Sequence, residues 1–354
     1  MVPFINRLRG ILAILVATSH AAALCVLLPT GSDAIQTVLT PALMFSGFNY
    51  VIGFIVVSGY CIARSTLEHR FNLARYAARR VTRIYPSLIA GALLAGLVEA
   101  CWLDSPNRIA MWDTGIDPRI FAWNAAGLAG FSAQFGSYAP TYTVAYELFY
   151  YAIWGLLLSI MPQRRGPLAM ALAMPALFFL LPSNFQFAVV LSAVWITGAA
   201  LAIYQKEILL SIEEVPLWLV WLSCLLIFIL GNSEIMRHKV NFWAAPGSLW
   251  TIPCGFLFAI VIASHLARRG PELALDKWLG KISYPLFLFH GPIIIAIGSL
   301  TKASHIRFSF GALFFILMAC SIVVARAVVV LIERPLMDWR KSRKSSDEIH
   351  QSSA

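Results

Sequence analysis

Long apolar stretches alternate with short polar connections along the whole chain. Several of these stretches approach about 20 residues, the length that an α-helix needs to cross roughly 30 Å of hydrocarbon. The pattern therefore predicts an all-α fold, a polytopic membrane helical bundle with about ten transmembrane helices. The predicted spans lie near residues 8–28, 42–63, 84–103, 142–160, 168–182, 187–204, 216–231, 248–266, 278–300 and 309–331.

The composition also indicates a membrane protein. Hydrophobic residues make up 59% of the chain and charged residues only 12%, whereas soluble domains carry about 25% charged residues. The net charge of +10 does not indicate a nucleic-acid partner, because the Lys and Arg residues cluster in the short connections between apolar stretches. We therefore predict membrane lipids, and no nucleic acid, among the partners.

The basic residues predict an orientation as well. If the N-terminus is cytoplasmic, most of the 27 Lys and Arg residues fall in cytoplasmic connections, as the positive-inside rule requires. Both termini are then cytoplasmic, with one transmembrane domain over residues 1–335. A short basic tail follows over residues 336–354, and we predict it to be disordered. The six cysteines show no paired spacing, so neither a metal site nor a disulfide framework is predicted.

Two ionisable residues occupy the first apolar stretch. Arg9 lies at its start and His20 lies deep inside it. Eleven residues of helix turn through about 1100° and rise about 16 Å, so both side chains share one face. Ionisable groups at such a depth are rare unless they pair, face a water-filled cavity or carry function. The spacing suits a long polyanionic ligand that binds a cation near the inner surface and extends toward the membrane midplane.

Further cations lie at the inner end of the third span. Arg80 and Arg83 form an R-x-x-R pair on one helical face. Guanidinium groups bind phosphate with two parallel hydrogen bonds and keep their charge. The pair is therefore a candidate phosphate site. The alternative is that both residues belong only to the inner belt of positive charge.

The fourth span contains a carboxylate, Glu147. Tyr150, on the same span, is a further candidate catalytic residue. Because the first and fourth spans run in opposite directions, Glu147 and His20 reach a similar depth and are expected to meet. A carboxylate on one imidazole nitrogen would fix the tautomer of the ring and raise the basicity of the other nitrogen. The alternative is a Glu147 that bonds a structural Tyr or Arg. His290, at a similar depth in the ninth span, is either a second catalytic group or a packed histidine.

The outer connection over residues 104–141 combines acidic and aromatic side chains, among them Asp113 and Asp117 with Trp112 and Trp123. Carboxylates that accept hydroxyl hydrogen bonds and rings that cover sugar faces are typical of a carbohydrate site. An interfacial aromatic belt with solvated acids is the alternative.

Six short segments, in order, resemble the acyltransferase-3 family of integral membrane acyltransferases. They are INRLRGILAILVATSH with its R-x10-H spacing, FIVVSGYCI, RRVTRIYP, PTYTVAYELFYY, WLGKISYPLFLFHGP and LIERPL. Tyr142 stands where that family usually has Trp. No esterase-like domain follows the last span, so the chain resembles the stand-alone members, which O-acetylate exopolysaccharide, lipopolysaccharide and similar acceptors.

The resemblance implies a mechanism. Acyl-CoA, expected to be acetyl-CoA, is a co-substrate rather than a bound cofactor, and it docks from the cytoplasm with its phosphates near Arg9, Arg80 and Arg83. His20, oriented by Glu147, acts as general base or transient acyl carrier. The acceptor is a hydroxyl of an extracytoplasmic sugar or polysaccharide, in the bacterial inner membrane.

Other function classes have less support from the sequence. No G-x-S-x-G elbow, H-E-x-x-H helix or glycine-rich phosphate loop is present, so hydrolase, metalloprotease and ATPase lack their usual signatures. A transporter that moves a sugar or anion by means of the buried His, Glu and Arg residues is the main alternative. A structural partner in a polysaccharide assembly complex is another.

Overall fold

The computed structural model describes residues 3–28, 30–31, 34, 36, 47–67, 71–112, 114–212, 215–216, 218–226, 251–268 and 271–339. These residues form helices, with two isolated β-bridges and no β-strand among them. This confirms the all-α prediction.

Eleven helices are numbered here in chain order. They are α1 (Pro3–Leu27), α2 (Gly47–Thr66), α3 (Leu73–Trp102), α4 (Pro118–Ala125), α5 (Tyr142–Ile160), α6 (Gly166–Leu180), α7 (Ser183–Ile203), α8 (Gln205–Ile212), α9 (Thr251–Ala267), α10 (Ala274–Ser304) and α11 (Phe310–Val328). Short 3₁₀ turns at Gly136–Thr141 and Gln163–Arg165 lead into α5 and α6, and a π-helical turn at Val329–Glu333 extends α11. Residues 218–226 are also helical.

Within the described part of the chain, six helical stretches are long and apolar enough to cross a membrane, namely those that contain α1, α3, α5, α7, α10 and α11. The chain is therefore an integral membrane protein. Helices α2, α6 and α9 coincide with the second, fifth and eighth predicted spans, although α6 has only 15 residues and α9 only 17. The seventh predicted span and the basic tail lie partly outside the described residues. The number of ten spans and the cytoplasmic position of the termini stay predictions.

Helices α1 and α10 form a parallel pair at the centre of the bundle. At their starts, Arg7 donates two hydrogen bonds to the buried Asp276 carboxylate, at 2.7 and 2.9 Å. Near their ends, Leu24 lies against Gly298. We call the end where both helices begin the N-terminal face, and the other end the opposite face. Because the helices run side by side in register, residues at similar distances from their starts lie at one depth.

Helices α2 and α7 touch through their backbones at two glycines. A Cβ atom on Gly59 would collide with the carbonyl oxygen of Trp195, and one on Gly198 would collide with the carbonyl oxygen of Val56. Small residues are what allow membrane helices to approach so closely. Since α2 also contacts α1, this packing fixes α2 as one wall of the space beside α1.

The connection between α3 and α5 folds back into the bundle at the opposite face. Its 3₁₀ turn, Gly136–Thr141, is completely buried. Non-helical backbone is tolerated at membrane depth only where it is buried in protein or lines a water-filled cavity. Glu99 of α3 anchors the turn by accepting hydrogen bonds from the Ser137 backbone N–H at 2.6 Å and from Arg108 Nε at 3.0 Å. The turn packs against Gly291 of α10, directly beside His290.

Candidate active site

A pocket opens between α1, α2, α3, α5 and α10, and it brings together residues that are far apart in the sequence. Arg9, Arg80 and Arg83 line it, and so does Glu147. Its empty space is about 980 Å³, part of which is open to solvent. The arginines lie toward the N-terminal face, since they are close to the starts of α1 and α3. We call this space the arginine pocket.

The guanidinium of Arg80 is held in place by two neighbours. Its Nη2 donates to Ser65 Oγ at 2.6 Å, and its central carbon lies 5.2 Å from the centre of the Tyr76 ring. The buried Arg80 Nε has no hydrogen-bond partner among the described residues. Arg83, one helical turn further along α3, is exposed. The pair thus presents fixed positive charge in an open pocket, the arrangement that binds phosphate or carboxylate groups.

Glu147 forms a compact hydrogen-bonded group with two hydroxyls. Its Oε2 accepts hydrogen bonds from Tyr151 OH at 2.5 Å and from Ser58 Oγ at 3.0 Å, and the two hydroxyl oxygens are 2.8 Å apart. All three residues line the arginine pocket. Tyr151 was recognisable from its i+4 spacing to Glu147, whereas nothing in the sequence placed Ser58 of α2 beside α5.

His20 bonds another histidine and not Glu147. Its Nδ1 lies 2.8 Å from Nε2 of His290, and the rings stack with centres 5.0 Å apart and planes 10° from parallel. Among the described residues no hydrogen bond joins His20 to Glu147, so the predicted contact between them is corrected. His20 faces α10, whereas Glu147 bonds Ser58 of α2 and Tyr151 of its own helix.

The backbone determines the direction of the hydrogen bond between the histidines. His290 Nδ1 lies 3.0 Å from the carbonyl oxygen of Leu286. Because a carbonyl can only accept, the neutral His290 ring carries its proton on Nδ1 and presents an unprotonated Nε2. His20 therefore donates from Nδ1, and its Nε2 keeps a lone pair. An imidazole with a free, hydrogen-bond-supported Nε2 can act as base or nucleophile.

Two phenylalanines separate the arginine pocket from the histidine pair. Phe54 and Phe287 both line the pocket, with ring centres 5.4 Å apart, and the Phe287 ring is 6.0 Å from that of His290. Neither histidine lines the pocket itself. The Phe287 ring therefore lies between the lining of the pocket and His290, a placement that the sequence did not predict.

The connection between α3 and α5 covers the other side of the histidine pair. Trp112 meets the His20 ring edge-on, with centres 5.5 Å apart. Trp123 on α4 is exposed, and Asp117 caps α4 through a 2.6 Å hydrogen bond from the Arg119 N–H. Asp113 lies outside the described residues. Among the carbohydrate candidates that the structure describes, Trp112 contacts a candidate catalytic group.

Tyr150 points away from the site. It is fully buried, and its hydroxyl donates to the Ala188 carbonyl of α7 at 2.7 Å. Its ring packs near Trp195. These contacts fit a packing role, and the catalytic role of Tyr150 stays a prediction. The neighbouring Tyr151 faces the pocket instead.

The site thus combines a pocket lined by three arginines with a neighbouring pair of histidines, of which His290 is buried. Residues 2–332 match the family model of the acyltransferase domain. The chain therefore belongs to the acyltransferase-3 family, and it is a membrane acyltransferase that transfers groups other than amino-acyl groups. This confirms the resemblance and favours an enzyme over a transporter.

The chain is also similar to a protein of Komagataeibacter xylinus named BcsY, which carries the provisional description of a membrane-bound transacylase. The two are 26% identical over 320 residues, which cover 83% of this chain and 77% of the other. No solved structure matches the chain.

Proposed function

We propose that the protein moves an acyl group, in the first instance acetyl, from cytoplasmic acyl-CoA to a hydroxyl of an extracytoplasmic or lipid-linked sugar, such as an exopolysaccharide or lipopolysaccharide. The observation that supports this best is the convergence of Arg9, Arg80 and Arg83 in one pocket beside the histidine pair. Coenzyme A carries several phosphate groups on a long arm that ends in the thioester. The guanidinium groups can bind the phosphates, and the interior of the bundle can accommodate the arm.

The donor enters from the N-terminal face, which we take as cytoplasmic from the distribution of basic residues. Its phosphates bind the guanidinium groups of Arg80 and Arg83, with Arg9 opposite them on α1. The thioester then extends along the apolar part of the pocket toward Phe54 and Phe287. Water is scarce among such side chains, which protects the thioester from hydrolysis.

His20 supplies the proton transfer in this proposal. Its Nε2 takes the proton from the acceptor hydroxyl as the oxygen attacks the thioester carbonyl, and the C–S bond breaks as the new ester bond forms. The proton passes to the departing CoA thiolate, so His20 ends neutral. In the carrier alternative, Nε2 holds the acyl group transiently before the hydroxyl attacks. In both, His290 stabilises the charged His20 ring by accepting its Nδ1 hydrogen bond.

In this proposal Glu147 does not orient His20, the role predicted from the sequence. It orients the hydroxyls of Ser58 and Tyr151 along the wall that the donor passes. The two hydroxyl oxygens keep acceptor lone pairs at that position, so they can accept hydrogen bonds from the pantetheine amide N–H groups.

Purified protein in lipid nanodiscs, supplied with radiolabelled acetyl-CoA and a surface-glycan extract, tests the proposal. We expect label in the glycan, and we expect His20→Ala to lower the rate by at least about 100-fold while thermal unfolding is unchanged. His265→Ala is the matched control, because His265 packs against Phe4 on another side of α1. A His20→Ala variant with wild-type transfer would overturn the proposal.

A further inference from the structure

A second cavity lies at the opposite face, and the reaction described above does not use it. It is formed by the end of α1, the residues after α3, the end of α10 and residues 305–308. It encloses about 830 Å³, part of which is open to solvent. Its lining consists of three basic side chains (Lys302, His305, Arg307), three polar ones (Thr30, Asn107, Thr301) and three apolar ones (Leu28, Ile306, Phe308). We call it the outer cavity.

The charge of the outer cavity is one-sided. None of the described residues that line it is acidic. Lys302 uses one of its three N–H donors on the Pro106 carbonyl at 2.8 Å, which leaves two for a ligand. Basic residues are disfavoured on the extracytoplasmic side, where this face lies in our proposal. Lys302 and Arg307 are thus exceptions to the charge bias of the chain, and they lie together.

The walls of the outer cavity are fixed by backbone contacts. The Gly31 N–H donates to the Phe308 carbonyl at 3.1 Å, and the Phe310 N–H donates to the Gly31 carbonyl at 3.0 Å. These bonds join the end of α1 to the start of α11. His305, with a left-handed φ of 55°, ends α10 at the rim. A preformed concave site requires little ordering when a ligand binds.

The outer cavity lies further along α1 and α10 than the histidine pair, toward the opposite face. Leu28 follows His20 by eight residues on α1, about 12 Å of helix, and Thr301 follows His290 by eleven on α10, about 16 Å. Between these levels, Leu24 of α1 and Ile109 of the connection after α3 both lie against Gly298 of α10. The Ile109 N–H donates to Ser299 Oγ at 3.2 Å. From there the same connection leads to Trp112, which meets the His20 ring.

We propose that the outer cavity binds an anionic group of the acceptor, a carboxylate or a phosphate ester on an acidic glycan. Lys302 and Arg307 pair with the anion, while Thr30, Asn107 and Thr301 hydrogen-bond sugar hydroxyls. The next sugar units then lie along Trp112, and a hydroxyl reaches His20. This inference rests on the proposed sugar acceptor and narrows it to acidic glycans.

The test compares acidic and neutral forms of one probe. The acidic probes are an oligosaccharide that carries glucuronate and one that carries a phosphate ester; the neutral ones are the carboxyl-reduced and the dephosphorylated forms. With wild-type protein we expect at least one acidic probe to have a kcat/KM about tenfold or more above that of its neutral form. The doubly substituted Lys302→Gln, Arg307→Gln protein should lose this preference through a higher acceptor KM, with the donor KM unchanged. Arg119→Gln, an exposed basic residue on the same face, is the control and should keep it.

Binding of the same probes to the His20→Ala protein separates this inference from the proposed function, because it needs no turnover. A preference for the acidic probe that disappears with the two Gln substitutions supports the outer cavity even if no glycan is acylated. Equal binding of acidic and neutral probes, or a preference that survives the substitutions, overturns it. It is also overturned if the substitutions change only the binding of anionic-lipid nanodiscs relative to phosphatidylcholine nanodiscs, since the cavity is then a lipid site.

Discussion

At the scale of single residues, the hydrogen bond between His20 and His290 has its direction set by a backbone carbonyl. Leu286 accepts from His290 Nδ1, so His290 Nε2 accepts from His20 Nδ1. The outcome resembles what a carboxylate would provide, a fixed tautomer with a free Nε2 on His20. The difference lies in charge. A neutral histidine supports the ring without introducing a permanent negative charge beside an anionic donor.

The first prediction concerns His290. Replacing it with Ala removes the acceptor for His20 Nδ1, so kcat should fall about 100-fold while the donor KM changes little. His290→Gln can place an amide oxygen near the position of Nε2, so it should recover part of the loss. Steady-state kinetics of both variants check this. If Gln and Ala are equally inactive, or if only the donor KM rises, His290 does not support His20 as described.

The second prediction concerns Arg83, which is exposed in the arginine pocket. Arg83→Ala removes a charge-assisted contact made by the donor before and during reaction, so it should raise the acyl-CoA KM about tenfold or more with kcat nearly unchanged. Arg165→Ala is the control, because Arg165 is an exposed arginine of the turn before α6 and does not line the pocket. An unchanged donor KM in Arg83→Ala would show that Arg83 does not bind the donor phosphates.

At the scale of elements, the positions of the helices were predictable and their neighbours were not. The apolar stretches 8–28 and 187–204 correspond to Pro3–Leu27 and Ser183–Ile203, because the thickness of the hydrocarbon sets the length of a span. Partner choice between helices depends on local shape, since burial of apolar surface gives no preference within lipid. Gly59 and Gly198 are two of 22 glycines, and nothing in the sequence indicates that these two meet.

The third prediction follows from that contact. Gly198→Ala places a Cβ against the Val56 carbonyl, and neither backbone can move freely. We expect a loss of about 1–3 kcal/mol in stability, as in other overpacked sites, seen as a lower thermal unfolding midpoint in detergent. Gly31→Ala serves as the control, because a Cβ there meets nothing within 4 Å. Equal midpoints for the two variants would contradict the close approach of α2 and α7.

At the scale of the whole molecule, two basic cavities lie at the two faces, with the histidine pair between them. Helical periodicity pairs Arg80 with Arg83, and the family resemblance predicts Arg9 at the same phosphate site. The sequence does not indicate that Glu147 lies in the pocket of the arginines, or that His20 bonds His290. Periodicity gives the face of one helix, but not the neighbouring helix that this face meets.

The most direct measurement is an electron cryomicroscopy structure of the protein in nanodiscs with a non-hydrolysable acetyl-CoA analogue. We predict phosphates within hydrogen-bonding distance of Arg80 and Arg83, and a pantetheine arm that passes Phe287 toward His20 Nε2. A nucleotide bound at the opposite face, or an arm that leaves the arginine pocket without approaching the histidines, would contradict this prediction.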